Sequence, residues 1–194
     1  MSSLSPKVIS IINSARELYW KHGISRVTVE EICENAGCSK MTLYRHFENK
    51  IEVAKAVLNQ INTEAQIKYQ AIMNSDVTFS EKIRLLILLK GESTLDISQE
   101  FLDDILNKHS SELGSFLDEL SKQQSARVKA DFIKAQNEGH IRADLNIDFA
   151  LAYADSLSNI MQDEALKSYF KTPQELILEV TNLFFYGIGT KELE

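Results

Sequence analysis

The chain has 194 residues, 44% of them apolar and 25% charged, with only 7 Gly, 2 Pro and 2 Cys. That balance excludes a disordered or collagen-like chain and leaves little room for the turns of an all-β fold, so one or two small helical domains are expected. Net charge is −7, but residues 1–50 carry 7 basic against 5 acidic side chains and residues 51–194 carry 14 against 23, so a mildly basic head precedes an acidic body.

Helical punctuation recurs along the chain. Ser5-Pro6 reads as an N-cap with Pro at the first helical position. Behind it Val8, Ile12, Ala15 and Tyr19, with Ile9 and Leu18, keep the 3.6-residue period until Gly23. Thr28–Glu31, Thr78–Glu81 and Thr172–Glu175 have the spacing of capping boxes, in which the hydroxyl accepts one free amide and Glu reaches back to another. Ser39 caps a short segment, and further helices are expected over residues 49–73, 99–108, 111–138, 147–167 and 173–188. No strict alternation and no Asn-Gly or Asp-Gly hairpin signal is present. The fold class expected is all-α, with about nine helices.

Residues 28–47 carry the chemistry. A helix from Thr28 meets Ala36-Gly37, where Gly supplies a left-handed terminus, and Ser39 then starts a second helix. Two short helices joined by a tight turn containing Gly make a helix-turn-helix. Ile32, Ala36, Cys38, Leu43 and Phe47 are the apolar positions at which the pair would touch. In the second helix Leu43 and Phe47 share the inner face, so Met41 and Arg45 point away, flanked by Thr42 and Tyr44. Arg pairs bidentately with guanine, and Thr or Met reaches a thymine methyl or base edge, so this outward face suits a major groove. Thr28 and Ser39 leave free amides at helix starts, where phosphates bind. Lys40, Tyr44, His46 and Lys50 are candidates for backbone contacts, which position a reader without specifying sequence. An ordinary corner between two helices is the competing reading, and the local excess of Lys40, Arg45 and Lys50 over Glu48 weighs against it.

The stretch Ile11–Val57 resembles the DNA-binding head of the TetR/AcrR transcription regulators. The likeness rests on Ala15, Glu17-Leu18, His22-Gly23, Val27-Thr28-Val29, Ile32, Ala36-Gly37, Ser39-Lys40, Thr42-Leu43-Tyr44, His46-Phe47 and Asn49-Lys50. It covers about a quarter of the chain. Cys38 stands where the family usually has Val, Met41 where a small residue is common, and Trp20 where less bulk is usual. The resemblance implies a DNA-binding head over residues 1–50 and an effector-binding, dimerising body over residues 51–194. It also implies a homodimer whose heads enter successive major grooves of a pseudo-palindrome, with half-sites about 34–36 Å apart. Family members are mostly repressors released by a small molecule.

In the body, Leu176, Val180, Leu183 and Gly187 form one stripe of the last helix, widened by Phe184 and Ile188. Its final turns are apolar nearly all round, as in a helix buried on two fronts. Ala150, Ala154, Leu157 and Met161 share one side of the preceding helix. A four-helix dimer interface is therefore expected from Ala150, Ala154, Leu157, Val180, Leu183, Phe184 and Gly187, with a monomeric core pair as the alternative. Glu138–Asn146 resembles the family's connector between these regions. Phe101, Phe116, Phe132, Tyr153 and Met161 are candidates to line a largely apolar effector cavity, against the plainer reading of each as core.

Other features suggest little chemistry. Asp96, Glu100, Asp103 and Asp104 look like a cation trap, but Glu100, Asp103 and Asp104 lie opposite Phe101, Leu102, Ile105 and Leu106, with Asp96 just before the helix, so a solvated face is expected, binding of a cationic effector there being the lesser reading. Cys33 and Cys38 are candidates for a redox pair, yet both take inner positions where a free Cys behaves as a small hydrophobe. The four His are scattered and none follows a carboxylate by three residues, so neither metal nor cofactor is expected. No GxGxxG, Walker, GxSxG or HExxH motif occurs, which makes an enzyme the poorest reading. Apolar runs such as Leu85–Leu89 fall far short of the ~20 residues that span a bilayer, and Met1–Lys7 has no apolar stretch of the signal-peptide kind. The two Cys form neither a CxxC pair nor a zinc-like set. A reduced, cytoplasmic setting is expected. The reading is a DNA-binding transcriptional regulator, a repressor released by a small molecule. Its rivals are a DNA-binding factor controlled by a protein partner or with no effector, and a helical enzyme or interaction module.

Overall fold

The computed structural model describes residues 5–107 and 111–188, and these form ten helices and no extended sheet. In chain order they are α1 (Pro6–His22), α2 (Val29–Asn35), α3 (Lys40–His46), α4 (Lys50–Met73), α5 (Phe79–Ser93), α6 (Gln99–Asn107), α7 (Ser111–Asn137), α8 (Ile147–Ile160), α9 (Glu164–Lys167) and α10 (Pro173–Ile188).

Local capping sets most of these bounds. Ser5 accepts the Val8 amide before α1, with Pro6 at its start. The Thr28 box is complete, because Thr28 Oγ1 accepts the Glu31 amide at 3.2 Å while the Thr28 amide donates to Glu31 Oε2 at 2.7 Å. The other two boxes are half made. Thr78 accepts the Glu81 amide, but Glu81 turns to Arg84 instead. Thr172 accepts the Glu175 amide, and Glu175 takes the Lys171 amide.

The helix expected over 147–167 is two. Asp163 Oδ1 captures the amides of Ala165 and Leu166 at 2.8 and 3.2 Å, and a short polar side chain that does so starts a new helix and ends the old one.

The chain divides into two units, Met1–Glu64 with Asp96–Leu117, and Ala65–Leu95 with Asp118–Glu194. In the first, Ile11, Ala15 and Tyr19 of α1 pack with Ile32 of α2, Leu43 of α3, Val53 and Val57 of α4 and Phe101 of α6. Each such aliphatic side chain, once fully buried, stabilises the unit by about 1.5–3 kcal/mol before entropy is charged. Phe101 lies 5.2 Å from the Trp20 ring. Ile9, from the expected inner stripe of α1, is exposed. The Tyr19 phenol is buried with no hydrogen-bond partner among the described residues, and burial raises its pKa.

In the second unit Phe132 and Ala135 of α7, Ile141, Ile147 of α8 and Ile188 of α10 share a core, with Phe184 and Phe185 against it. α10 packs on α5, where Gln174 Nε2 donates to the Gly91 carbonyl at 2.5 Å, and on α8. No described helix is long and apolar enough to cross a membrane.

Candidate nucleic-acid interface

The turn between α2 and α3 is held from both sides. Gly37 adopts φ +59°, a conformation that disfavours any side chain. Its amide donates to the Glu34 carbonyl at 3.2 Å, and the Cys38 amide donates to the Cys33 carbonyl at 2.9 Å. From α1, Lys7 Nζ reaches the Gly37 carbonyl and Ser10 Oγ the Ala36 carbonyl, each at 3.2 Å. Sequence reasoning missed these two anchors, since nothing local marks a polar side chain that serves a turn some thirty residues away.

Ser39 Oγ then accepts the Thr42 amide at 3.1 Å and lies 3.0 Å from Thr42 Oγ1. In α3, Leu43 is inaccessible and Phe47, which follows it, is buried. The opposite face is open: Met41 is 75% and Tyr44 52% exposed, and Arg45 and His46 are exposed too. Large apolar and cationic groups held outward on a helix seven residues long are the furniture of a recognition surface.

Three expected contacts take on structural work. Thr28 spends its hydroxyl on the capping box, donating to Glu31 Oε2 at 2.8 Å. Those bonds hold the Glu31 carboxyl below its ordinary range. The Lys40 ammonium pairs with Glu30 of α2 at the surface, where such a pair contributes little and yields readily to a better anion. Lys50 is the clear departure. Its ammonium donates to the carbonyls of Ile24, Ser25 and Val27 at 2.9, 3.0 and 2.9 Å. A lysine has three donors and all are engaged, so Lys50 fastens the α1–α2 loop instead of reaching outward. Burial lowers its pKa, while Asp104 and Glu31 pull it back up.

Asp104 corrects the reading of α6 as a solvated acidic face. It is 5% exposed and accepts the Ser25 amide at 2.9 Å and the Ser25 hydroxyl at 2.5 Å. Gly23, at φ +79°, leaves room for it, since a Cβ there would stand 2.7 Å from Asp104 Oδ2. Asp96 and Glu100 are exposed, and Asp103 accepts from Gln99 at 2.8 Å. Among the described residues, no group of three or more His, Cys, Asp or Glu is placed to hold a metal ion.

Among the candidate effector residues, Phe101 and Phe116 belong to the first unit's packing and Phe132 to the second unit's core. Phe116 also borders a shallow hollow of about 420 Å³ with His46, Glu48, Glu52, Lys55 and Asn59. Tyr153 is half exposed and stacks on Phe149 at 6.5 Å, and Met161 is half-buried.

The expected dimer residues sort into two sets. Ala150 and Leu157 are buried by the chain itself, and Ala154, Val180 and Phe184 are half-buried. Leu183 and Gly187 are exposed, and beside them in the sequence pattern Phe149 and Tyr153 of α8 and Tyr186 of α10 are exposed as well. Both faces of these helices are apolar, and periodicity does not tell which of them the chain covers itself.

Two short helices joined by a tight Gly turn, the second with its outer face open, have the geometry of a helix-turn-helix reader. Residues 11–57 match the family model described as "Bacterial regulatory proteins, tetR family". The chain is 26% identical over 160 residues to the probable HTH-type transcriptional regulator ArpR of Pseudomonas putida, covering 76% of each chain. Its fold matches the fatty acid degradation regulator FadR from Bacillus halodurans at a TM-score of 0.75 and 19% identity, over 96% of this chain and 98% of that one. It also matches SmeT, the multidrug efflux pump repressor of Stenotrophomonas maltophilia, solved with triclosan, at 0.69 and 15%, over 98% and 95%. The head thus matches the TetR family and the chain is similar over most of its length to transcriptional regulators of that family; it is a DNA-binding transcriptional regulator.

Proposed function

We propose that the protein is a homodimeric repressor that leaves a pseudo-palindromic operator when a small, largely apolar molecule binds its body. The observation that carries the reading is α3, which buries Leu43 and Phe47 and turns Met41, Tyr44 and Arg45 to solvent. Arg45, Met41 and Thr42 read base edges; Tyr44, His46, Lys40 and Ser39 meet the backbone, and Thr28 serves as the cap of α2. Lys50 drops out of the contact set and acts from behind.

The exposure of Phe149 and Tyr153 on α8 and of Leu183 and Tyr186 on α10, two helices packed on each other, supports the dimer, since large apolar side chains gathered at a surface mark a protein interface. The working division is a reading head over residues 1–50 and an effector-binding, dimerising body over residues 51–194. The triclosan complex of SmeT supports an effector of apolar, aromatic character. DNA and effector must then weaken each other by the same factor. The protein has no catalytic role and works in the cytoplasm.

The test is selection of bound duplexes from a random pool at fixed salt, with one sample refolded from denaturant to strip any co-purified molecule. A pseudo-palindrome with half-sites roughly one helical turn apart is expected. No enrichment from either sample would overturn the reading.

A further inference from the structure

The end of α2 brings two thiols together. Gly37 is left-handed, its amide donates to the Glu34 carbonyl, and the Cys38 amide donates to the Cys33 carbonyl at 2.9 Å. That pair of bonds is the Schellman termination, in which the side chain three residues before the cap's end meets the one two residues beyond it, normally as an apolar contact. In this chain those two positions are Cys33 and Cys38. Both lie in the same apolar cluster, and both thiols are free. Cys33 is 5% exposed, whereas Cys38 is partly open to solvent. Directly after Cys38 comes Ser39, whose hydroxyl caps α3.

We infer that Cys33 and Cys38 form an oxidation site inside the reading head, closing to a disulfide with hydroperoxides and resetting the turn that aims α3. The consequence for DNA rests on α3 being the reading helix; the chemistry of the pair does not. Burial, with Cys38 close by, pushes the Cys33 thiol up to about 11, so the more open Cys38 is the thiol that attacks first. Its sulfur takes one peroxide oxygen, the O–O bond breaks, and Cys38 becomes a sulfenic acid as water or an alcohol leaves. The Cys33 sulfur then attacks the Cys38 sulfur, the S–O bond breaks, and the Cys33 proton departs with hydroxide as water. The two thiols lose two electrons and the peroxide gains them.

A disulfide holds its sulfurs about 2.05 Å apart with Cβ atoms about 3.8 Å apart, closer than two free thiols can stand. Closure therefore draws Cys38 toward α2 and drags the Ser39 cap with it. The turn cannot slide freely to absorb this, because Lys7 and Ser10 hold its carbonyls.

The test exposes the reduced full-length protein to hydrogen peroxide, alkylates it and digests it with trypsin, since residues 27–40 hold both Cys in one peptide. Loss of both alkylation sites is expected, reversible by dithiothreitol. A matching fall in affinity for the selected duplex is expected too, of roughly tenfold or more, the scale of one misplaced bidentate base contact. Cys33→Ala and Cys38→Ser should bind like the reduced protein and ignore peroxide. Thiols that stay alkylatable, disulfides between chains, over-oxidation of Cys38 alone, or a closed disulfide with unchanged duplex binding would each overturn the inference. A reduced protein that binds no duplex would instead sink the DNA reading, and the peptide result would then decide the oxidation site by itself.

Discussion

Replacing Asp104 by Ala tests whether α6 is part of the machinery that sets the head. The carboxylate takes two hydrogen bonds from Ser25, at 2.9 and 2.5 Å, and is nearly inaccessible. A hydrogen bond to a charged acceptor contributes about 1.5–3 kcal/mol net. Ser25 itself is exposed, so water recovers part of each bond and the low end applies, giving a loss of about 3 kcal/mol for the pair. For a chain of this size that lowers the melting temperature by roughly 6–12 °C. Asp104→Asn keeps the volume and one carbonyl acceptor, so it should lose about half as much. The loop that Asp104 holds leads straight into the Thr28 cap of α2, and Lys50 holds the same loop through three carbonyls. Weaker duplex binding at full occupancy of the folded state should therefore accompany the lost stability. Denaturant melts and duplex titrations of Asp104→Ala, Ser25→Ala and the double variant would separate the terms, with sub-additive losses expected because the two residues share a bond. An Asp104→Ala protein within about 0.5 kcal/mol of wild type, the range of ordinary surface changes, would refute the idea that this carboxylate fastens the loop.

Four further outcomes are expected. Arg45→Ala should cost about 1–3 kcal/mol of discrimination at one base pair, and an unchanged base preference in a repeated duplex selection would remove Arg45 from the readers. Tyr19→Phe removes a buried hydroxyl with no partner among the described residues, so it should hold or raise stability by up to about 1 kcal/mol; a clear loss in denaturant melts would mean that the phenol is bonded in solution. Leu183→Glu places a charge on the exposed stripe of α10 and should shift the protein to monomer in sedimentation without unfolding it, a persistent dimer counting against that face. Glu31 and Glu81 have carboxyl pKa values lowered first by the Thr28 backbone bond and the Arg84 side chain respectively. A lowered folded-state pKa stabilises above the unfolded value, about 4.3 for Glu, and that gain is lost as pH falls through the folded value. The denaturant midpoint should therefore decline between about pH 5 and 3, and Glu31→Gln should flatten the decline.

What could be read from the sequence was whatever is decided within about four residues. Ser5-Pro6, the Thr28 box and the pairing of Leu43 with Phe47 are local, and each appears as expected. Even at that range a motif settles only half of a bond: Thr78 and Thr172 cap their helices, but their glutamates find Arg84 and the Lys171 amide nearer to hand. Lys50 and Asp104 were misread for a different reason. Each is a charged residue on a polar face of a helix, and nothing within a turn of either reveals a loop, 25 and 79 residues distant respectively, whose backbone groups need partners. A buried charge is affordable where hydrogen bonds satisfy it, and such partners are supplied by the fold, not by neighbours in the chain.

The same limit explains α8 and α10. A helix apolar on two sides announces that both will be covered, but not which side its own chain covers. In the structure the chain takes Ala150, Leu157, Leu176, Ile177 and Ile188 for itself and leaves Phe149, Tyr153, Leu183 and Tyr186 open. Of the small residues expected at the contact between subunits, Ala150 is buried within the chain, Ala154 is half-buried and Gly187 is exposed. In a two-fold dimer every exposed residue of such a stripe is buried twice, so the face the chain leaves uncovered is the one on which a single substitution has its largest effect on assembly.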